Sequence, residues 1–192
     1  MTKAAQLLAI AACAGVASAQ GYFSDFEADD GGLVGTNDWQ WGAPTGFAGS
    51  NSSTEPGSGF SGTNVWGTIL GGDHSPSTVS TLTLSGLDLT SAVTLSWWEW
   101  SDSGGNAFDT AKVFVSGTEV YFSDGNSEDA WRQVTVDLTG FSGVNDIVFE
   151  FSTTGIVERT GWYIDDLSVV VPAPGSAALL GLGGLVALRR RR

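Results

Sequence analysis

A chain of 192 residues with 21 acidic and 8 basic side chains carries a formal net charge of -13, a field that repels nucleic acids and anionic membrane faces. Aromatic residues make up 11% of it, eight of them tryptophan, which sets it apart from a disordered acidic tract. One histidine, His74, and one cysteine, Cys13, exclude a zinc site built from several His or Cys ligands and leave little for nucleophilic catalysis.

In chain order, Lys3, the apolar run Leu7 to Val16 and the triplet Ala17-Ser18-Ala19 predict a secretory signal peptide over residues 1–19, cleaved after Ala19. Ile10-Ala11-Ala12-Cys13 offers a second reading, in which Cys13 carries a lipid. On either reading the mature domain lacks thiols, so an exported protein must be held by its core or by a metal rather than by disulfides.

Residues 20–171 form the next unit, of a length suited to one domain with a sizeable core. All of the acidic residues lie here, opposed by Lys112, Arg132 and Arg159. No stretch keeps a helical period. Short β-rich runs recur between Gly, Ser, Asn and Asp, and predict strands over 22–27, 64–69, 80–84, 92–100, 111–116, 119–122, 132–138, 146–152 and 162–171. The stretch from Gly42 to Gly62 is too rich in glycine and serine to be an element. Such a series predicts an all-β antiparallel sandwich, most simply a jelly roll. His74 lies in the glycine-rich run Gly71-Gly72-Asp73-His74 and reads as a solvated loop residue.

Residues 172–192 complete the plan. Pro172 and Pro174 end the last strand, an apolar run reaches Leu188, and Arg189, Arg190, Arg191 and Arg192 follow. The run predicts a short transmembrane helix with its arginines on the cytoplasmic side.

Strand parity supplies candidate site residues. Asp165 is two residues from Leu167 and four from Val169, and Asp109 is in phase with Ala111 and Val113. Simple alternation therefore turns both aspartates toward the core, where a carboxylate needs a partner or a cation. Oxygen ligands in an exported, thiol-free domain suit Ca²⁺. Backbone capping at strand ends is the competing reading. On the 92–100 strand, Trp98 and Trp100 share the face opposite Leu95 and Trp97. As an exposed pair they would form a platform for sugar rings; covered by the 42–62 stretch, they would be packing residues.

Two resemblances sharpen these expectations. The tail Val171-Pro172-Ala173-Pro174, its apolar run and its arginines resemble the PEP-CTERM sorting signal of bacterial envelope proteins, with Ala173 where glutamate is commonest. The resemblance implies recognition by a membrane-embedded exosortase-like enzyme. The ordered motifs Phe23-Ser24-Asp25-Phe26-Glu27, Trp39-Gln40-Trp41-Gly42, Asn64-Val65-Trp66-Gly67, Ser96-Trp97-Trp98 and Gly161-Trp162-Tyr163-Ile164-Asp165-Asp166-Leu167 are similar to MAM-like jelly-roll modules of bacterial secreted proteins. That likeness implies a structural Ca²⁺ between first and last strands, held by Glu27 and by Asp165 or Asp166, with Asp109 as a further candidate. The function expected is an exported, non-catalytic protein of the cell surface or extracellular matrix, contacting the membrane through its tail and binding exopolysaccharide. A polysaccharide-active enzyme on the same fold is the alternative.

Overall fold

A computed structural model describes residues 21–171 apart from 93, 106 and 124–128. The signal peptide with Ala19, and the tail with Pro172, Pro174 and Arg189–Arg192, lie outside the described residues. Among the described residues the chain forms eleven strands and one short 3-10 turn. They are β1 (Tyr22–Ser24), β2 (Val34–Gly35), β3 (Trp39–Gly42), β4 (Val65–Thr68), β5 (Val79–Asp88), β6 (Thr94–Asp102), β7 (Thr110–Val115), β8 (Thr118–Ser123), β9 (Arg132–Asp137), β10 (Val144–Ser152) and β11 (Gly161–Val170).

They build an antiparallel two-sheet sandwich. The first sheet runs β3-β4-β11-β6-β9, with β1 also pairing β11; the second runs β2-β5-β10-β7-β8. All nine predicted strands are present, with ends shifted by up to four residues. Two are additional. β2 has two residues, and β3 is four residues at the edge of the first sheet, too short for alternation to be legible.

Alternation in the long strands makes the core. β6 buries Leu95, Trp97, Glu99 and Ser101 while Thr94, Ser96, Trp98 and Trp100 stay half-buried on the other face. β10 does the same with Ile147, Phe149 and Phe151. The aromatic rings meet across the interior. Trp39 tilts against Trp162 at 5.6 Å, Trp162 against Phe149 at 5.7 Å, and Trp97 stands edge-on to Phe149 at 5.3 Å and to Tyr121 at 5.1 Å. Three of these rings come from the first sheet and two from the second, so the contacts join the layers. Edge-to-face pairs contribute about 0.5–1.5 kcal/mol each beyond their burial.

The β11 strand changes phase midway. Its register against β6 shifts between Asp165 and Ser168, and Asp166 has φ 48°. Ile164 and Leu167 both face the core, three residues apart, as a β-bulge requires. The first half of β11 pairs with β4 and the second half with β1.

Close approach fixes one glycine. A Cβ on Gly67 of β4 would lie 2.3 Å from the Tyr163 ring, and Tyr163 is fully buried. Gly67→Ala is expected to lower stability by about 1–3 kcal/mol, the usual cost of overpacking, read as a reduced denaturation midpoint at unchanged m-value. Unaltered stability would show that the Tyr163 ring is free to move.

Candidate functional site

The segment from Ala43 to Asn64 has almost no regular structure, yet it packs over the outer face of the first sheet. Irregular backbone exposes N–H groups that need acceptors once buried. Carboxylates supply them. Glu55, 1% exposed, accepts from the N–H groups of Thr45 and Phe47 and the Thr45 hydroxyl through Oε2, and from Gly71 N–H through Oε1. Asp73 accepts from Ser50 N–H, and Asp102 from Thr54 N–H. Asp165 accepts from Ser61 N–H at 3.0 Å, and Glu27 Oε1 from the N–H groups of Thr63 at 2.7 Å and Asn64 at 2.6 Å. Gly62, with φ 63°, lets the chain pass against the Glu27 carboxylate, where a Cβ would come within 2.3 Å.

Three of the four acidic residues assigned to a cation therefore converge on residues 59–64. Asp165 binds this loop, Asp166 Oδ1 accepts the Ser61 hydroxyl at 2.7 Å, and Glu27 holds its far end. Asp165 does not face the core, although simple alternation with Leu167 would have it do so. Asp165 pairs with Trp98, an outward residue, so it lies on the outer face with Tyr163. The bulge reverses the phase between Asp165 and Leu167. Asp165 is nonetheless fully buried, because the loop covers it. Removal from water, without a basic partner among its hydrogen bonds, pushes its carboxyl up to about 7, against the pull of the N–H donors of Ser61, Asp166 and Phe60.

Asp109 is elsewhere. Its Oδ1 accepts from Thr154 N–H and its Oδ2 lies 3.2 Å from His74 Nε2, with both side chains fully buried. It takes no part in the loop 59–64 cluster. His74 is likewise not solvated: it is 1% exposed, set edge-on to Phe151 at 5.4 Å. Among the described residues no group of three or more His, Cys, Asp or Glu side chains is disposed to hold a metal ion. A cation at loop 59–64 would need backbone or hydroxyl oxygens beside the carboxylates.

Of the two arrangements open to the tryptophan pair, exposed platform or loop-covered packing, the structure has the second. Trp98 and Trp100 do share the outer face, but both are half-buried. Phe60 stacks on Trp98 with ring centres 3.6 Å apart and planes within 10°. Trp100 donates its indole N–H to Thr54 O at 2.8 Å and meets Trp131 edge-on at 6.1 Å. The 42–62 stretch covers the rings, and Phe60, 41% exposed, presents the aromatic surface above Trp98.

Glu99 escaped the sequence reading. It is fully buried between the sheets, where Oε1 accepts from Tyr121 Oη and Arg132 Nε, both at 2.7 Å, and Oε2 accepts from Trp162 Nε1 at 3.0 Å. Burial and the Glu99 charge push the Tyr121 phenol well up. The signal was available: Glu99 follows Leu95 and Trp97 in strict alternation. Arg132, Lys112 and Arg159 each pair with a carboxylate, Glu99, Glu119 and Asp102 respectively, all at 2.7 Å.

His74 Nε2 has two neighbours that cannot both be satisfied. Arg159 N–H donates to it at 3.2 Å when the ring is neutral; a protonated Nε2 instead pairs with Asp109. Desolvation lowers the His74 pKa, but the hydrogen bond and charge of Asp109 outweigh it and raise the value above the ordinary one. The folded state thus holds the proton longer than the unfolded chain. The stability it contributes is present below about pH 6.5 and lost as pH rises through the folded value. Asp165 acts in the same direction, because the unfolded chain releases that proton near pH 4 and the folded chain at about 7. In chelator, the melting temperature is expected to fall between pH 5 and pH 8, and less steeply in His74→Gln and in Asp165→Asn. A melting temperature that rises over this interval would refute the assignment.

No family model matches the chain. It is 30% identical over 161 residues to Bacillopeptidase F of Bacillus subtilis (strain 168), a match covering 77% of this chain and 10% of that protein. The chain thus spans about a tenth of the length of this curated relative. Among solved structures, the K2 cleaved adhesin domain of Lys-gingipain superposes with a TM-score of 0.53 at 14% identity, covering 78% of this chain and 98% of that domain. The C-terminal CBM6 of a marine laminarinase from Zobellia galactanivorans gives a TM-score of 0.47 at 13% identity, over 78% of this chain and 98% of that one. What the first superposition establishes is the architecture, an antiparallel two-sheet sandwich shared with an adhesin domain over nearly its full length.

Proposed function

We propose that this protein is an exported, non-catalytic binding module of the bacterial surface or matrix, built as a jelly roll and brought to the envelope by its C-terminal tail. One observation carries the non-catalytic reading: the deeply buried ionisable groups are committed to structure. Glu55 holds loop amides, Glu99 a Tyr-Arg-Trp network, and Asp109 the Thr154 amide and His74. A glycosidase, the alternative, needs two carboxyls facing a sugar across a cleft. The likeness to an adhesin domain, and to a small part of a bacillopeptidase, supports an accessory extracellular module. Its ligand in this reading is an exopolysaccharide.

The tail of residues 172–192 supplies the sorting step, with Pro172 and Pro174 as the motif read by an exosortase-like enzyme and Arg189 to Arg192 as the cytoplasmic lock. Among the described residues no helix is long and apolar enough to cross a membrane; the proposed span lies beyond them. Deleting 172–192 is expected to move the protein from the envelope fraction to the medium, as followed by immunoblotting of both fractions. Unchanged retention of the truncated chain would refute the sorting reading.

Calcium is the cofactor in this proposal. What supports it is that Glu27, Asp165 and Asp166 all bind the 59–64 loop and that the Asp165 carboxyl is desolvated without a basic partner, with backbone or hydroxyl oxygens of the loop completing the ligand set. Bound there, Ca²⁺ would neutralise Asp165 and fasten the loop to the last strand. A cation that binds only the folded state stabilises by about 2.7 kcal/mol at a hundredfold excess over Kd. Thermal melts in Ca²⁺ and in EDTA are expected to differ, and Asp165→Asn to remove most of the difference. Coincident melts of the unmutated protein would leave these acids as backbone caps.

A further inference from the structure

The outer face of the first sheet is only partly covered. Its cover reaches the stack of Phe60 on Trp98, and beyond that stack the sheet lies open toward the end at which β1 begins and β11 finishes, where Phe23, Thr135 and Val170 are exposed. Strand register gives the layout of this open part. One row crosses four strands as Phe23, Ser168, Ser96 and Thr135. The row on its inner side places Gln133 beside Trp98, and the row on its outer side places Val170 beside Thr94.

The chemistry of this shelf differs from that of the rest of the domain. Its floor is hydroxyl-bearing, through Ser168, Ser96 and Thr94, all half-buried, and through exposed Thr135. The exposed Gln133 adds an amide. Three large apolar side chains stand around it: Phe23 at 65% exposure, Val170 at 45% and Phe60 at 41%. Phe60 forms a wall at the loop end, its ring backed by the parallel Trp98 ring, so one aromatic face is presented and the other is braced. None of these shelf residues is charged; acids stand only at its borders, among them Asp166, half-buried against the Ser61 hydroxyl. Asp165, in the Trp98 row, is buried beneath the loop, and Asp137 stands at the far end of the Thr94 row, where its carboxylate caps Thr139 N–H. The corresponding face of the second sheet is different: its middle row places Glu150 beside Lys112, and Lys112 pairs with Glu119 and sits over Phe122.

Four strands at about 4.8 Å spacing make a shelf roughly 14 Å across. Flat apolar rings, hydroxyls and a carboxamide are the groups that meet the C–H faces and hydroxyls of a sugar. An uncharged strip on a domain of strong negative charge favours an uncharged chain over a polyanion. We propose that this shelf binds a neutral polysaccharide laid across β1, β11, β6 and β9, with one sugar ring against Phe60 and with Gln133 and Thr135 hydrogen-bonding its hydroxyls. The proposal rests on the reading of the domain as a binding module and assigns the site and the ligand class.

Affinity electrophoresis of the exported full chain tests it, in gels containing hydroxyethyl cellulose, xylan or mannan, and in gels containing alginate as the acidic comparison. At least one neutral polymer is expected to retard the protein, and alginate is not. Phe60→Ala and Gln133→Ala are expected to weaken retardation at least tenfold. Thr135→Arg, at an exposed position of an edge strand, is expected to block the shelf without disturbing the core, and Phe122→Ala on the opposite face to leave retardation unchanged. Melting curves of each variant separate loss of binding from loss of fold. Retardation that survives both Gln133→Ala and Thr135→Arg would overturn the shelf while leaving the binding-module reading intact. No retardation by any neutral polymer would overturn both. Concentration-dependent self-association in sedimentation, abolished by Thr135→Arg, would identify the shelf as a contact between copies and overturn the polysaccharide proposal.

Discussion

A carboxylate accepting backbone N–H bonds is the interaction on which this domain depends. Roughly twenty residues of irregular chain lie against the first sheet, and without acceptors their buried amides would oppose folding. Glu55, Asp73, Asp102, Asp165 and Glu27 each hold a different part of that segment, so the covering is tied down along its length. Charge-assisted bonds of this kind are shorter and stronger than those between neutral groups. The acidity of the sequence thus has an internal use. An excess of acids with few bases looks like a surface property, yet Glu55, Glu99, Asp109 and Asp165 are at most 1% exposed.

This arrangement divides the labour between the two sheets. The second supplies half of the core and leaves its outer face to residues such as Thr81, Thr83 and Val148, with the Lys112–Glu119 ion pair toward the β8 edge. The first carries the added layer, which buries Tyr163 and Asp165 on a face that an ordinary sandwich gives to solvent. Because the cover reaches only as far as the Phe60–Trp98 stack over this part of the sheet, the same layer creates a border between covered and open sheet. A surface bounded on one side by a braced aromatic ring is a different object from a flat sheet, and it arises here from where the chain stops covering.

Much of this was legible in the sequence. Long strands such as β6 and β10 announce themselves by alternation, and the sides assigned to Trp97 and Trp98 follow from it directly. What escaped detection had local causes. β3 is short and runs into Gly42-Ala43-Pro44, so it has no period to read. The β11 bulge is a single extra residue, invisible in composition, and it reversed the inferred side of Asp165 while leaving the burial right for another reason. His74 follows two glycines and one aspartate, and only tertiary packing against Phe151 and Asp109 places it inside. Glu99 is the opposite case. Its alternation with Leu95 and Trp97 stood in plain view, and the polar letter concealed it.

The position of β11 has a mechanical consequence. It is an interior strand, flanked by β6 on one side and by β4 and then β1 on the other, and past its bulge it continues to Val170. Tension arriving at Val171 would pull along the axis of this strand and load both flanking ladders in shear, so that many bonds share the force at once. An edge strand pulled from its end surrenders its bonds one pair at a time. The same strand contributes Ser168 and Val170 to the open shelf, so a load between a polymer on Gln133 and Thr135 and the chain end would cross from β9 through β6 to β11 and be carried by the ladders of the first sheet.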